Sequence, residues 1–156
     1  MSLTPETPQL KFFADLSVQV AAPIEVGHTA RGLRRVIPIT GGDVRGEGWQ
    51  GRVMAAGADF QLIVGGTTAE LQAQYVLETD AGERIYVHNR AIRHAPAEVT
   101  ARLMRGEPVD PAQVYFRCQP AFETASASLE WINQRLFVGS GVRLPDRVVM
   151  RFFVLD

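Results

Sequence analysis

The chain contains one cysteine, Cys118, and one lysine, Lys11, among its 156 residues. A single cysteine cannot form an internal disulfide, and it excludes every metal site built from clustered cysteines. The sixteen basic residues are matched by seventeen acidic ones, so no basic excess is present to attract a nucleic acid or an anionic membrane. We therefore expect neither a nucleic-acid partner nor a membrane partner.

Long apolar runs are also absent. No stretch approaches the roughly 18 apolar residues of a membrane helix, and residues 1–11 lack the charged start and apolar core of a signal peptide. No phosphate-binding loop and no converging set of metal ligands is recognisable, so we expect no cofactor and no metal. These features predict a cytoplasmic protein with a flexible segment over residues 1–9 and one domain over residues 10–156.

The positive charge is carried almost entirely by arginine, because Lys11 is the only lysine. One explanation is a genome biased toward arginine codons. The other is that some arginines bind a carboxylate, an enolate or a phosphate in a bidentate manner, which lysine does less well. Only arginines that are buried would support the second explanation, and the sequence leaves both explanations open.

Alternation of apolar and polar residues with a period of two dominates the chain and predicts short strands. The predicted strands cover residues 10–20, 24–28, 33–39, 44–55, 59–64, 71–79, 84–92, 113–124, 135–142 and 147–155. Gly41 and Gly42 are expected to end one of them. One short helix is expected between Pro96 and Gly106, and a helical turn near residues 128–133.

About nine short strands, one modest helix and no regular alternation of helices with strands predict an all-β, antiparallel domain. Both a barrel and a sandwich fit this pattern. We favour a single barrel, because strands bent at glycines allow a sheet to curl and to hide its edges.

Every second side chain of a barrel strand enters the interior, and a polar interior is unusual unless it holds water or a ligand. Tyr115 and Arg117 share one face of a predicted strand. A buried arginine requires an anion, which would be either an internal carboxylate, such as Asp59 or Glu123, or a ligand. The alternative for each of these residues is a solvated outer face.

Several short segments of the chain together resemble a known protein family. They are RRVIPITGG (34–42), GRVMAAGAD (51–59), IYVHNR (85–90), YFR (115–117), FET (122–124) and WIN (131–133). Their order and spacing are similar to those of a bacterial and fungal family known as domain of unknown function 3237, or uncharacterised protein family 0311. The resemblance implies a compact antiparallel β-barrel with a central cavity, similar in architecture to allene oxide cyclase and dirigent-type barrels. It supplies no reaction.

One hypothesis is a cofactor-independent isomerase, cyclase or lyase that acts on an organic acid or a carbonyl compound in the cavity. Asp59, His88 or Glu123 would move a proton, and Tyr115 or Asn133 would donate a hydrogen bond to a developing oxyanion. The ligand-binding candidates are arginines for an anionic group, aromatic residues for the walls and one amide: Arg34, Arg90, Arg117, Phe60, Tyr75, Phe122, Trp131 and Asn133. Phe60 stands where tryptophan is common in the family.

The second hypothesis is a binding or carrier barrel that uses the same cavity without chemistry. Its charged groups would then be satisfied mainly by one another, whereas an unpaired carboxyl with a strongly shifted pKa would favour the enzyme. In both cases the expected partner is a small molecule, anionic or carbonyl-bearing. Association of two barrels through their outer faces into a homodimer is an additional expectation.

Overall fold

A computed structural model describes residues 1–156 and contains nine strands, one α-helix and two short 3-10 turns. The strands are β1 (Leu10–Val20), β2 (Ile24–Thr29), β3 (Gly32–Gly46), β4 (Trp49–Val64), β5 (Thr68–Thr79), β6 (Arg84–His94), β7 (Tyr115–Thr124), β8 (Phe137–Arg143) and β9 (Arg147–Leu155). The helix α1 (Ala97–Met104) lies between β6 and β7, and the 3-10 turns cover Pro111–Gln113 and Glu130–Gln134. None of the helices has the length and hydropathy needed to cross a membrane.

The nine strands form one antiparallel sheet in the order β1-β9-β8-β7-β6-β5-β4-β3-β2. A further pairing of β1 with β3 closes eight of these strands into a barrel, while β2 pairs only with the first part of β3. The predicted all-β antiparallel barrel with one short helix is therefore confirmed, and the sandwich is excluded.

The prediction that Gly41 and Gly42 end a strand is wrong. β3 continues through both glycines to Gly46, with a shift in its register against β4 between Pro38 and Asp43. Gly42 has a φ of +132°, and a Cβ atom there would collide with the carbonyl oxygen of Ser17 on β1. The glycine thus permits the close approach of β1 that closes the barrel.

A second boundary also differs from the prediction. Residues 44–55 and 59–64 are not separate strands, because the chain turns at residues 47–48 and β4 then runs without a break from Trp49 to Val64. The register of β4 against β5 is irregular between Val53 and Gly57, and Gly57 has a φ of +112°. A glycine at such a position marks a bulge, which bends the strand without ending it.

One half of the barrel interior is filled by aromatic rings. Phe13, Phe122, Phe137 and Phe152 contact one another with centroid separations of 4.8–5.9 Å, in tilted or edge-to-face arrangements. These geometries are the favourable ones for aromatic pairs. This half of the barrel is therefore a packed aromatic core.

The helix α1 lies against the other half of the barrel. Its Val99 and Leu103 form a small separate apolar cluster with Ala95. The Thr100 hydroxyl donates to the carbonyl oxygen of Ala95, and the Arg35 guanidinium donates to that of Met104 at 3.3 Å. The C-terminal end of α1 is thereby attached to an arginine that points into the barrel from β3.

We predict that Phe152→Ala lowers the free energy of unfolding by about 3–5 kcal/mol, because it removes a fully buried ring from the aromatic cluster and leaves a cavity. Phe60→Ala is the matched control, since Phe60 lies on β4 with 41% of its surface exposed. Its loss is expected to cost less than about 1 kcal/mol. Urea denaturation of both variants measures the difference, and equal losses would contradict this description of the core.

Candidate functional site

The half of the barrel interior opposite the aromatic cluster contains polar side chains. β4 directs Asp59 and Gln61 inward, β5 directs Tyr75 inward, and β6 directs Asn89 and Arg93 inward. These strands are neighbours in the sheet, and Asp59 and Asn89 both pair with Ala73. The alternation of side chains along three adjacent strands therefore brings the five polar groups into one region.

Asp59 is the buried carboxylate of this region. Its Oδ2 atom accepts a hydrogen bond of 2.9 Å from the Gln61 amide, while its Oδ1 atom is inaccessible to solvent and has no hydrogen-bond partner. Burial raises the pKa of Asp59 above its usual value, and this effect outweighs the Gln61 hydrogen bond and the charges of Arg93 and Arg143, which lower it. The protonation equilibrium of the Asp59 carboxyl is thus shifted toward the protonated form.

Three arginines approach the same region. Arg93 is only 4% exposed, and burial lowers its pKa to about 10, although the nearby Asp59 charge opposes that change. Arg143 lines the cavity from the end of β8, and Arg35 forms an ion pair of 3.7 Å with Glu25, which is largely exposed. Of the charged residues that line the cavity, two are arginines, Arg93 and Arg143, and one is a carboxylate, Asp59, while Asp146 lies close enough to Arg143 to act on its charge.

The buried Nε atom of Arg35 lacks a hydrogen-bond partner, and so do four polar atoms of residues that line the cavity. They are the Tyr75 hydroxyl, Asn89 Oδ1, Gln61 Oε1 and Asp59 Oδ1. Burial also raises the pKa of Tyr75, so its hydroxyl keeps its proton and can donate it in a hydrogen bond. Folded proteins leave few buried polar groups unpaired, and four around one space indicate that something else hydrogen-bonds to them.

The four residues line a common cavity with a volume of about 40 Å³. One water requires at least about 10–15 Å³ on this measure, so the cavity has room for about three waters or for one very small organic acid. Arg93 and Arg143 also line it, and its remaining walls are apolar and include Ile39, Leu71 and Val148. No group of three or more His, Cys, Asp or Glu side chains in the chain is placed to hold a metal ion.

The structure brings three of the sequence-predicted site residues into the barrel. Asp59 and Tyr75 line the polar cavity, whereas Phe122 belongs to the aromatic cluster in the other half. The roles suggested for Asp59 and Tyr75 stay predictions. Phe122 is too far into the packed core to form a wall of this cavity, and it is absent from the cavity lining.

The other predicted residues lie outside the interior. Arg34, Phe60, His88, Arg90, Tyr115, Arg117 and Glu123 project from the outer face, because their strands direct the alternate residues inward. His88 forms a hydrogen bond of 2.8 Å with Gln72 there. The expectation that these residues line the cavity is therefore corrected. Three of them, Arg90, Tyr115 and Arg117, do share one groove on the outer surface.

Trp131 and Asn133 lie on the 3-10 turn Glu130–Gln134, away from the cavity. The Trp131 ring meets Phe13 edge to face at a centroid distance of 5.6 Å. The Asn133 side chain accepts a hydrogen bond from the backbone N–H of Thr124 and donates one to its carbonyl oxygen. Both contacts attach this turn to the barrel, so neither residue contacts the cavity.

Sequence reasoning missed Arg93 and Arg143, and it did not single out Asn89 or Gln61 as site residues. The signal for two of them was present in β6, where Ile85, Val87, Asn89, Ala91 and Arg93 alternate with outward residues. An amide and an arginine on that apolar face point to a polar interior. Arg143 ends its strand, and no comparable pattern marks it.

Comparisons with known proteins agree with this fold. A protein from Rhodopseudomonas palustris named as a UPF0311 protein is 45% identical over 148 residues, which are 95% of this chain and 96% of that protein. Its crystal structure, described as a conserved protein of unknown function, matches with a TM-score of 0.91 and 42% identity over 98% of this chain and 100% of that one.

A β-barrel-like protein from Acinetobacter baumannii AYE matches with a TM-score of 0.87 and 38% identity over 99% of this chain and 100% of that one. An enzyme from Penicillium herquei has a TM-score of 0.73 at 16% identity, with full coverage of both chains, and shares the fold alone. The family model described as protein of unknown function DUF3237 matches residues 8–155, and the chain belongs to this family.

Proposed function

We propose that this protein binds a small carboxylate or carbonyl compound in the polar half of its barrel and catalyses a proton transfer on it without a cofactor. The supporting observation is the set of unpaired polar atoms on Asp59, Gln61, Tyr75 and Asn89 around one cavity. The cavity lining contains two arginines, Arg93 and Arg143, and one carboxylate, Asp59, and this balance favours an anionic ligand.

Each residue has a role that follows from its chemistry. Arg93 and Arg143 would hold the anionic group of the ligand. Asp59 would take a proton from a carbon next to a carbonyl, for which a carboxyl with a raised pKa is suited. The Tyr75 hydroxyl would donate a hydrogen bond to the resulting enolate oxygen.

The reaction class follows from where the proton goes next. Return of the proton from Asp59 to a different carbon gives an isomer, and attack of the enolate on a second group of the same molecule gives a ring. Loss of a leaving group from the adjacent carbon gives a lyase reaction. An isomerase, a cyclase and a lyase thus share the same first step and the same residues.

The volume of the cavity limits the ligand. Pockets for drug-sized molecules usually measure about 300–1,000 Å³, whereas this one measures about 40 Å³. An acid the size of acetate or pyruvate is the appropriate first probe. A larger substrate would require lining side chains such as Arg143 to move.

A carrier without chemistry is the second candidate. It is favoured by the Gln61 hydrogen bond to Asp59 and by the proximity of Arg93, since both satisfy part of the carboxylate within the protein. The two candidates share the ligand-binding groups and differ only in whether Asp59 exchanges a proton with the ligand.

We predict that the protein catalyses exchange of the pyruvate methyl protons with D₂O, followed by proton NMR, and that Asp59→Asn slows this exchange at least about 100-fold. Glu123→Gln is the matched control, because that carboxylate lies on the outer face and should leave the rate unchanged. Pyruvate binding without exchange would support the carrier. If pyruvate neither binds nor undergoes exchange, both candidates are contradicted.

A second prediction concerns the pH dependence of stability. Because its pKa is raised on folding, Asp59 holds its proton more tightly in the folded chain. Its contribution to stability therefore falls as pH rises from the ordinary value of 3.8 toward the raised one. We expect Asp59→Asn to unfold at a higher urea concentration than the wild type at pH 7. The margin, meaning the difference between the two urea midpoints, is expected to be smaller at pH 4. A margin that shrinks as pH rises would show that the ionised form is stabilised instead.

A further inference from the structure

A groove on the outer surface of the barrel lies over the junction of β7 and β8. The groove has a volume of about 560 Å³, which is within the usual range for small-molecule pockets of about 300–1,000 Å³. β7 and β8 pair only through Arg117 with Ser140 and Cys118 with Gly139, the shortest ladder in the barrel. These four residues form part of the lining of the groove.

The groove contains two arginines and no acidic residue. Elsewhere on the outer surface, Arg52 and Arg84 both meet Glu78 within 3.1 Å. By contrast, Arg117 stacks on the Tyr115 ring at 5.3 Å and donates to a neighbouring carbonyl oxygen, and no carboxylate contacts Arg90. The groove therefore offers two guanidinium groups that are not paired with an anion.

The strand register shows that these two arginines are neighbours. Arg90 on β6 lies opposite Gln119 on β7, and Arg117 lies opposite Ile92, so the two arginines are diagonal neighbours on one face. Diagonal positions of this kind are separated by about 7–8 Å, which long side chains can bridge. Two like charges at this spacing repel each other, and a carboxylate placed between them would relieve the repulsion.

Apart from Gln119 and Ser140, the remaining side chains of the groove are mainly apolar. Leu10, Ile92, Val138 and Phe153 line it, and two of them, Leu10 and Ile92, are 56% and 41% exposed. Clustered apolar side chains that remain in contact with water are typical of a binding surface. Ile92 lies directly beside Arg117, so the apolar surface is continuous with the charged end.

We infer that this groove binds an amphiphilic carboxylate, meaning a small molecule with one carboxylate head and an unbranched apolar chain. The head lies between Arg90 and Arg117, and the chain lies along Ile92, Leu10 and Phe153. The inference is independent of the cavity inside the barrel, because the two sites share only Ala91, which belongs to the wall between them.

The test uses decanoate as the probe, titrated into the full chain and followed by calorimetry and two-dimensional NMR. The double variant Arg90→Gln, Arg117→Gln is expected to bind decanoate at least about tenfold more weakly, as the loss of a charge-assisted hydrogen bond would produce. Arg52→Gln, an outer-face arginine that has a carboxylate partner, is the matched control and should bind as the wild type does. Decanol, which lacks the charge, should also bind at least about tenfold more weakly.

Four results would overturn the inference. The first is no detectable binding of decanoate at about 1 mM. The second is equal affinity of the wild type and the double variant. The third is tighter binding of hexaglutamate than of decanoate, which would identify the groove as a surface for acidic peptides. Chemical shifts that move at Tyr75 and Asn89 rather than at Ile92 and Arg117 would assign the probe to the interior, and this would also contradict the inference.

Discussion

The pairing of β1 with β3 closes the sheet, and closure sends every second side chain of eight strands into a single interior. The close approach that this pairing needs is possible because Gly42 has no side chain facing Ser17. Once the barrel is closed, any polar residue at an inward position is removed from water, whatever its own preference. The chemistry of Asp59, Tyr75 and Arg93 follows from this constraint, since burial is the largest cause of the pKa shift of each.

The interior is divided into two halves with different consequences for stability. Phe13, Phe137 and Phe152 fill one half and stabilise the barrel, because their rings pack in favourable geometries. The other half contains a buried carboxyl and unpaired hydroxyl and amide oxygens, each of which costs stability unless it is hydrogen-bonded. Such costs are commonly found where a protein binds a ligand, because the ligand supplies the missing partners.

Much of the fold could be predicted from the chain alone. Alternation identified Leu10–Val20 and Arg147–Leu155 to the residue, because these strands have one apolar face and one polar face. Gly41 and Gly42 were misjudged, since a glycine that bends a strand and a glycine that ends one are alike in sequence. Local pattern cannot separate the two cases, because the answer depends on a distant strand, β1.

The site was less predictable, for a reason of geometry. Arg117 and Tyr115 were correctly expected to share a face, but alternation does not say which face of a polar and aromatic strand is inward. That choice is made by the whole barrel: Phe116 and Cys118 turn inward on β7, and Arg93 does so on β6. Arg143 and Asp59 meet at the cavity from strands that are far apart in the chain, and no local signal links them.

A crystal structure of the protein soaked with pyruvate tests the central claim most directly. The account predicts electron density for one molecule in the barrel interior, with its carboxylate at Arg93 or Arg143 and an oxygen within hydrogen-bond distance of the Tyr75 hydroxyl. An empty interior, in which Asp59, Gln61, Tyr75 and Asn89 are hydrogen-bonded to one another, would contradict it.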